Sequence, residues 1–69
     1  MSEQQRRIGG TIKWFNANKG FGFAARDDGG DIFVHHSNTS MSMLREGDRI
    51  EFSIGVHKGR TTALSVVKL

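Results

Sequence analysis

Lys19-Gly20-Phe21-Gly22-Phe23-Ala24 and Asp31-Ile32-Phe33-Val34-His35 decide the fold of this chain. Each segment is short, rich in aromatic or β-branched residues and bounded by turn formers, the signature of a β-strand. Successive side chains on a strand point to opposite faces. Phe21 and Phe23 therefore share one face, and the other carries only Gly22 and Ala24. In the second segment Ile32 and Val34 are the natural core pair, which sends Phe33 and His35 to the opposite side. Phe21, Phe23, Phe33 and His35 remain as an aromatic platform outside the core. Rings displayed on a sheet with Lys19 beside them suit the stacking of unpaired nucleic-acid bases. A second small core or a dimer interface is the competing use of such a patch, since small soluble domains seldom expose one without a partner.

The pattern continues along the chain. No stretch shows sustained apolar spacing at helical period, glycines recur, and β-branched residues and Phe fill the gaps, which predicts an all-β domain. Five strands are expected, at residues 9–16, 21–25, 31–35, 49–56 and 60–67. Asn16-Ala17-Asn18-Lys19-Gly20, Asp27-Asp28-Gly29-Gly30 and His57-Lys58-Gly59 supply turns, with Asp-Gly favoured because glycine adopts positive φ freely. Residues 37–47 form a loop with room for one helical turn around residues 41–45. So few short strands cannot stack as two sheets, but one sheet curled into a barrel buries its inner face and removes its edges. Ile12, Ile32, Val34, Ile50, Phe52, Ile54, Leu64 and Val66 are the expected filling.

Size and charge narrow the function. The chain has 69 residues, one domain near the lower limit for folding alone. It has no cysteine and no proline, so neither disulfides nor thiolate metal sites staple it. Modest stability that rises with bound ligand is expected. The polar residues 1–7 are expected to be a flexible tail, from which Arg6 and Arg7 add loose electrostatic attraction, and residues 8–69 the domain. No apolar run reaches the ~18 residues of a membrane helix and no signal peptide is evident, so a cytoplasmic monomer is expected. The net charge is +3. Basic residues gather toward the two ends of the chain while the acids gather in the middle, and the ends would form one basic side if the first and last strands were neighbours.

Gly10-Thr11-Ile12-Lys13-Trp14-Phe15-Asn16-Ala17-Asn18-Lys19-Gly20-Phe21-Gly22-Phe23, followed by Asp31-Ile32-Phe33-Val34-His35, closely resembles the cold-shock domain, whose two ribonucleoprotein motifs look like KGFGF and (I/V)FVH. The resemblance runs from about Ile8 to the C-terminus and implies a five-stranded antiparallel OB-type barrel that binds single-stranded RNA and DNA. It implies base stacking by Trp14, Phe21, Phe23, Phe33 and His35 with help from Phe15, phosphate contacts from Lys13, Lys19 and Lys58, and a base-edge hydrogen bond from Asn16. His36 stands where many bacterial members have Phe, and is either a rim contact or a satisfied polar residue. The loop after it is shorter than in bacterial relatives and lacks an aromatic, leaving Met41 or Met43 to replace that ring. The usual Gly-Pro before the last strand reads Gly59-Arg60 here. Trp14 is a point of tension: alternation groups it with buried Ile12, the resemblance sets it at the rim of the binding face, and a bulge late in the first strand reconciles the two.

Other functions fit less well. Catalysis needs a nucleophile with a base or paired carboxylates in a pocket, and Asp27, Asp28 and Asp31 cluster instead at a hairpin turn. No catalytic residue, cofactor or small-molecule substrate is expected. His35 and His36 are adjacent on a strand, so they are expected to face apart, and no third ligand joins them to hold a metal. An RNA-recognition motif would carry its two motifs in the reverse order and would add helices. A peptide-binding barrel stays open, although lysines around the rings favour a polyanion.

Overall fold

The structure, a computed structural model, describes residues 7–39 and 44–69. Five strands, β1 (Ile8–Asn16), β2 (Phe21–Arg26), β3 (Asp31–His35), β4 (Arg49–His57) and β5 (Arg60–Lys68), close into a barrel in the order β1-β2-β3-β5-β4. The expected strands are all present, with ends that differ by no more than one residue. Every neighbouring pair is antiparallel except β3–β5, which is parallel with Phe33 opposite Thr62. The fully antiparallel barrel expected from the sequence is thereby corrected, and the reason is parity: an odd number of strands cannot alternate in direction all the way round a closed ring. β1 and β5 are also not neighbours, since each flanks β4. The condition for the basic ends to merge, that the first and last strands be neighbours, is therefore not met.

The core is built from Ile12, Ala24, Ile32, Val34, Leu44, Ile50, Phe52, Ala63 and Val66. Ile54 and Leu64, expected inside, are not part of it: Ile54 is 39% exposed and Leu64 half-buried. Their places are taken by Ser53, Thr62 and Ala63. The cause is one irregularity, a β-bulge between β4 and β5, that breaks strict alternation. The β4–β5 register shifts between Glu51 and Ser53, and Ser65 on β5 has a φ of 51°. Ser65 and Val66 on β5 there stand against Phe52 alone on β4, and this extra residue keeps alternation from carrying across the bulge. The buried hydroxyls are satisfied, with Thr62 Oγ1 donating to the Arg60 carbonyl at 2.8 Å and Ser53 Oγ accepting from Arg7 at 3.1 Å.

Arg7 is also the residue that ties this bulge down. Its guanidinium donates to the carbonyls of Glu51 (3.1 Å) and Ser65 (2.9 Å) and lies 3.7 Å from the Glu51 carboxylate. Arg7 thus belongs to the barrel and not to a loose tail; residues 1–6, the rest of that expected tail, lie outside the described residues. A further correction concerns the turn after β3. A short 3-10 helix forms at His36–Asn38, while Leu44 and Arg45 are not helical. Residues 40–43, with Met41 and Met43, lie outside the described residues.

Candidate nucleic-acid interface

β1, β2 and β3 place the aromatic side chains in cross-strand register. Trp14 is opposite Phe23, Phe23 opposite Phe33, and Phe21 opposite His35. Ring centroids lie 5.6 Å apart for Trp14–Phe23 and for Phe23–Phe33, 5.8 Å for Phe21–Phe33 and 5.9 Å for Trp14–Phe21. These separations are those of tilted and edge-to-face aromatic pairs, so the rings brace one another sideways. Phe33 continues to His35 at 6.2 Å, and His35 to His36 at 4.6 Å and to His57 at 6.2 Å. Trp14 joins the outer face because the β1–β2 register shifts between Ile12 and Trp14. That shift is the bulge the sequence called for, and it leaves Trp14 45% exposed while Ile12 is buried.

Gly22 lets β1 and β2 approach beneath these rings. A Cβ there would collide with the Trp14 carbonyl oxygen and come within 2.7 Å of the Phe15 Cα. Phe15 stands apart from the ladder. It packs against the core and lines a separate cleft of about 350 Å³ with Lys19, Gly20 and His36. Asn16 shapes the β1–β2 turn: its Oδ1 accepts from the Lys19 amide at 2.9 Å and its carbonyl from the Gly20 amide at 2.7 Å. These bonds fix the turn and leave the Asn16 side-chain NH2 and the second lone pair of its Oδ1 for another partner.

His35 and His36 do not face apart. The strand ends at His35, the chain turns into the 3-10 helix, and the two rings come together over the Gly20 turn. The Ser37 amide donates to His35 Nδ1 at 3.2 Å, with the Ser37 hydroxyl 2.9 Å away. Accepting there requires an unprotonated Nδ1, which is the neutral ring carrying its proton on Nε2. Consistently, burial and then the neighbouring His36, His57 and Lys58 hold His35 below the ordinary histidine value.

The cations are disposed unevenly. Lys13 is paired with Asp31 at 3.1 Å. Such an exposed pair is worth about 0–1 kcal/mol, so a phosphate can take Lys13 from Asp31 at little cost. Lys19, Lys58 and Arg60 have no carboxylate partner among the described residues. Lys58 and Gly59, with φ of 54° and 76°, make the two-residue β4–β5 turn. This turn sets Lys58 and Arg60 at the mouth of a cleft of about 370 Å³ lined also by Phe21, Phe33, His35 and His57. The Arg60 guanidinium carbon is 4.6 Å from the centre of the Phe33 ring.

Arg60 and His57 were not among the residues that sequence reasoning assigned to the site. Their membership follows from the parallel β3–β5 pairing that brings the β4–β5 hairpin beside Phe33. No local pattern announces that pairing. The only sequence signal was the arginine standing where the cold-shock pattern has proline.

A closed five-stranded barrel of OB type, with an aromatic ladder on one outer face and cations at its rim, defines the class. Comparison with known proteins narrows it. The model of the "Cold-shock" DNA-binding domain matches residues 8–69, and the chain belongs to that family. It is 48% identical over 63 residues to the cold shock-like protein CspC of Bacillus cereus, covering 87% of this chain and 97% of that one. Over 50 residues it is 52% identical to the probable cold shock protein A of Mycobacterium tuberculosis, covering 67% of this chain and 75% of that protein. Among solved structures, a segment of the Drosophila protein Unr superposes with a TM-score of 0.77 at 24% identity, covering 94% of this chain and 27% of that one. At that identity the likeness speaks for the fold alone.

Proposed function

We propose that this protein binds single-stranded RNA and DNA by stacking unpaired bases on Trp14, Phe21, Phe23, Phe33 and His35, with Lys13, Lys19 and Lys58 meeting the phosphates. The observation that carries this reading is the unbroken ladder from Trp14 to His35 on the outside of the barrel. Phe21, Phe23, Phe33 and His35 are half-buried and Trp14 is exposed, which leaves ring surface for a flat base to meet. Stacking is worth about 1–3 kcal/mol per base. Three or four stacked bases therefore supply micromolar or tighter affinity after the cost of ordering the strand. Duplex DNA binds poorly because its bases are already stacked. Recognition is weakly dependent on sequence, with pyrimidine-rich strands favoured. By holding RNA strands open in the cytoplasm, the protein acts as an RNA chaperone and influences transcription or translation.

The carboxylates support a binding module over an enzyme. Asp27 is held by Arg49 in a two-pronged bridge at 2.8 and 2.7 Å, and Asp28 by Arg26 at 2.8 and 2.9 Å. Those hydrogen bonds pull both groups below the usual carboxylate range, the opposite of what a general acid at neutral pH requires.

Titration with a thymidine heptamer, followed by the fluorescence of Trp14, tests the proposal. Quenching that saturates in the micromolar range or below is expected, with a hairpin duplex of equal charge leaving the signal largely unchanged. A folded sample whose fluorescence ignores the heptamer overturns it.

A further inference from the structure

Arg7, Arg26 and Arg49 each have a carboxylate partner. Arg60 has none among the described residues and rests instead on Phe33, 4.6 Å from the ring centre. Phe33 is the hub of the ladder, in contact with Phe21, Phe23 and His35. Part of the ring most central to the platform is therefore already covered by a cation in the free protein. An exposed cation–π contact is worth about 0.5–1 kcal/mol, whereas a stacked base is worth about 1–3 kcal/mol. A base can displace the guanidinium at a net gain. The displaced cation then has a new partner within reach, because every base in a strand brings a backbone phosphate. Lys58 and His57 line the same cleft and no carboxylate does, so an anion entering there meets no repulsion from a lining residue.

We propose that Arg60 is a two-position side chain, stacked on Phe33 in the free protein and moved onto a backbone phosphate when a base takes its place. The inference rests on the base-stacking reading above and adds a source of selectivity to it. A neutral aromatic ligand must displace the cation and offers it nothing in return. A phosphodiester strand displaces it and engages it. Arg60 thereby favours polyanionic strands over uncharged rings, such as those of an aromatic peptide, on a platform whose phenyl groups alone would accept both.

The test compares the parent protein with Arg60→Gln, using a thymidine heptamer with ordinary phosphodiester linkages and one with uncharged methylphosphonate linkages. Arg60→Gln is expected to weaken phosphodiester binding and to flatten its salt dependence. One lost phosphate contact on a single strand corresponds to a slope change of about 0.7, or about 2.6-fold less weakening across a fourfold rise in salt. The same variant is expected to bind the methylphosphonate strand about 2- to 5-fold more tightly, since the cover is gone. In the parent, the Arg60 side-chain NMR signals should show the upfield shift of a group over a ring and lose it on saturation with the phosphodiester heptamer. An unchanged salt slope in Arg60→Gln, or a ring-shifted Arg60 signal that persists in the saturated complex, overturns the inference while leaving base stacking intact. A parent protein that ignores both heptamers overturns the stacking reading and this inference with it.

Discussion

Ile12 and Trp14, two residues apart on β1, lie on opposite sides of the barrel wall, with Ile12 1% and Trp14 45% exposed. The register shift between them converts one strand into two functional halves. The N-terminal half packs inward and pairs with β4; the C-terminal half presents Trp14 beside Phe21 and Phe23. A bulge next to a binding face serves to re-aim a side chain, and here it adds an indole to a phenyl ladder. Trp14→Ala should therefore leave the core intact and lower heptamer affinity by about 1–3 kcal/mol. Urea denaturation and a labelled-oligomer titration separate the two effects. A large loss of stability with unchanged affinity would show that Trp14 serves the fold instead.

Phe33→Ala should reduce affinity by a similar ~1–3 kcal/mol. Its effect should not add to that of Phe23→Ala, because the two rings meet edge-on at 5.6 Å. Residues in contact couple by about 0.5–3 kcal/mol in a double-mutant cycle. Oligomer titrations of the two single variants and the double variant measure this, and strict additivity would mean that the rings bind as independent surfaces.

Gly22→Ala probes the foundation beneath the ladder. The added methyl collides with the Trp14 carbonyl oxygen and sits 2.7 Å from the Phe15 Cα. Both are backbone atoms, which cannot rotate away as a side-chain tip would. Overpacking of this kind costs about 1–3 kcal/mol, read as a lower urea midpoint. The disturbed β1–β2 spacing should also lower heptamer affinity, because Trp14 sits on the strand that is pushed aside.

These relationships were unevenly legible in the sequence. The alternation in Asp31-Ile32-Phe33-Val34-His35 maps directly onto buried Ile32 and Val34 and half-exposed Phe33 and His35, because that strand is regular. Alternation failed where the strands are irregular. Ile54 lies beyond the Glu51–Ser53 shift, and Leu64 lies next to Ser65 with its positive φ; no residue type in either segment marks the break. His36 was misplaced for a related reason: alternation was extended one residue past the end of the strand at His35, into what is a 3-10 helix. Arg7 and Arg60 act across distances of many residues, on Ser65 and on Phe33. Their roles depend on which strands become neighbours, and a linear pattern does not carry that information.

Acidity should act on the site through His35. Burial, then His36, His57 and Lys58, depress its pKa from 6.5. Above that value the ring is neutral in both folded and unfolded chains and contributes no pH dependence. As the pH falls through 6.5, the unfolded chain takes up a proton before the folded one does, so His35 lowers stability progressively until the folded ring is protonated too. Asp27 and Asp28 add a second loss further down. Their depressed pKa values contribute stability above 3.8 that disappears as the pH falls through the lower folded values. Urea midpoints across this range, with NMR titration of the imidazole, check the order of events. A folded His35 that titrates at or above 6.5 would contradict the arrangement described.

At Lys58 a conformational cost in the hairpin turn coincides with a cation at the cleft. It occupies the first position of a two-residue turn with φ of 54°, a left-handed conformation that costs a side-chain-bearing residue about 1–2 kcal/mol. Glycine adopts that conformation freely but loses about 0.5–1 kcal/mol of additional chain entropy on folding. Lys58→Gly should consequently gain up to about 1 kcal/mol of stability, read as a higher urea midpoint. The same change removes a cation from the cleft that contains Phe33 and His35. It should lower heptamer affinity at low salt and reduce the salt slope by about 0.7. A more stable protein that binds less well would mean that the strained lysine is kept for its charge. If Lys58→Gly binds as the parent does at every salt concentration, Lys58 makes no phosphate contact and the turn alone explains its place.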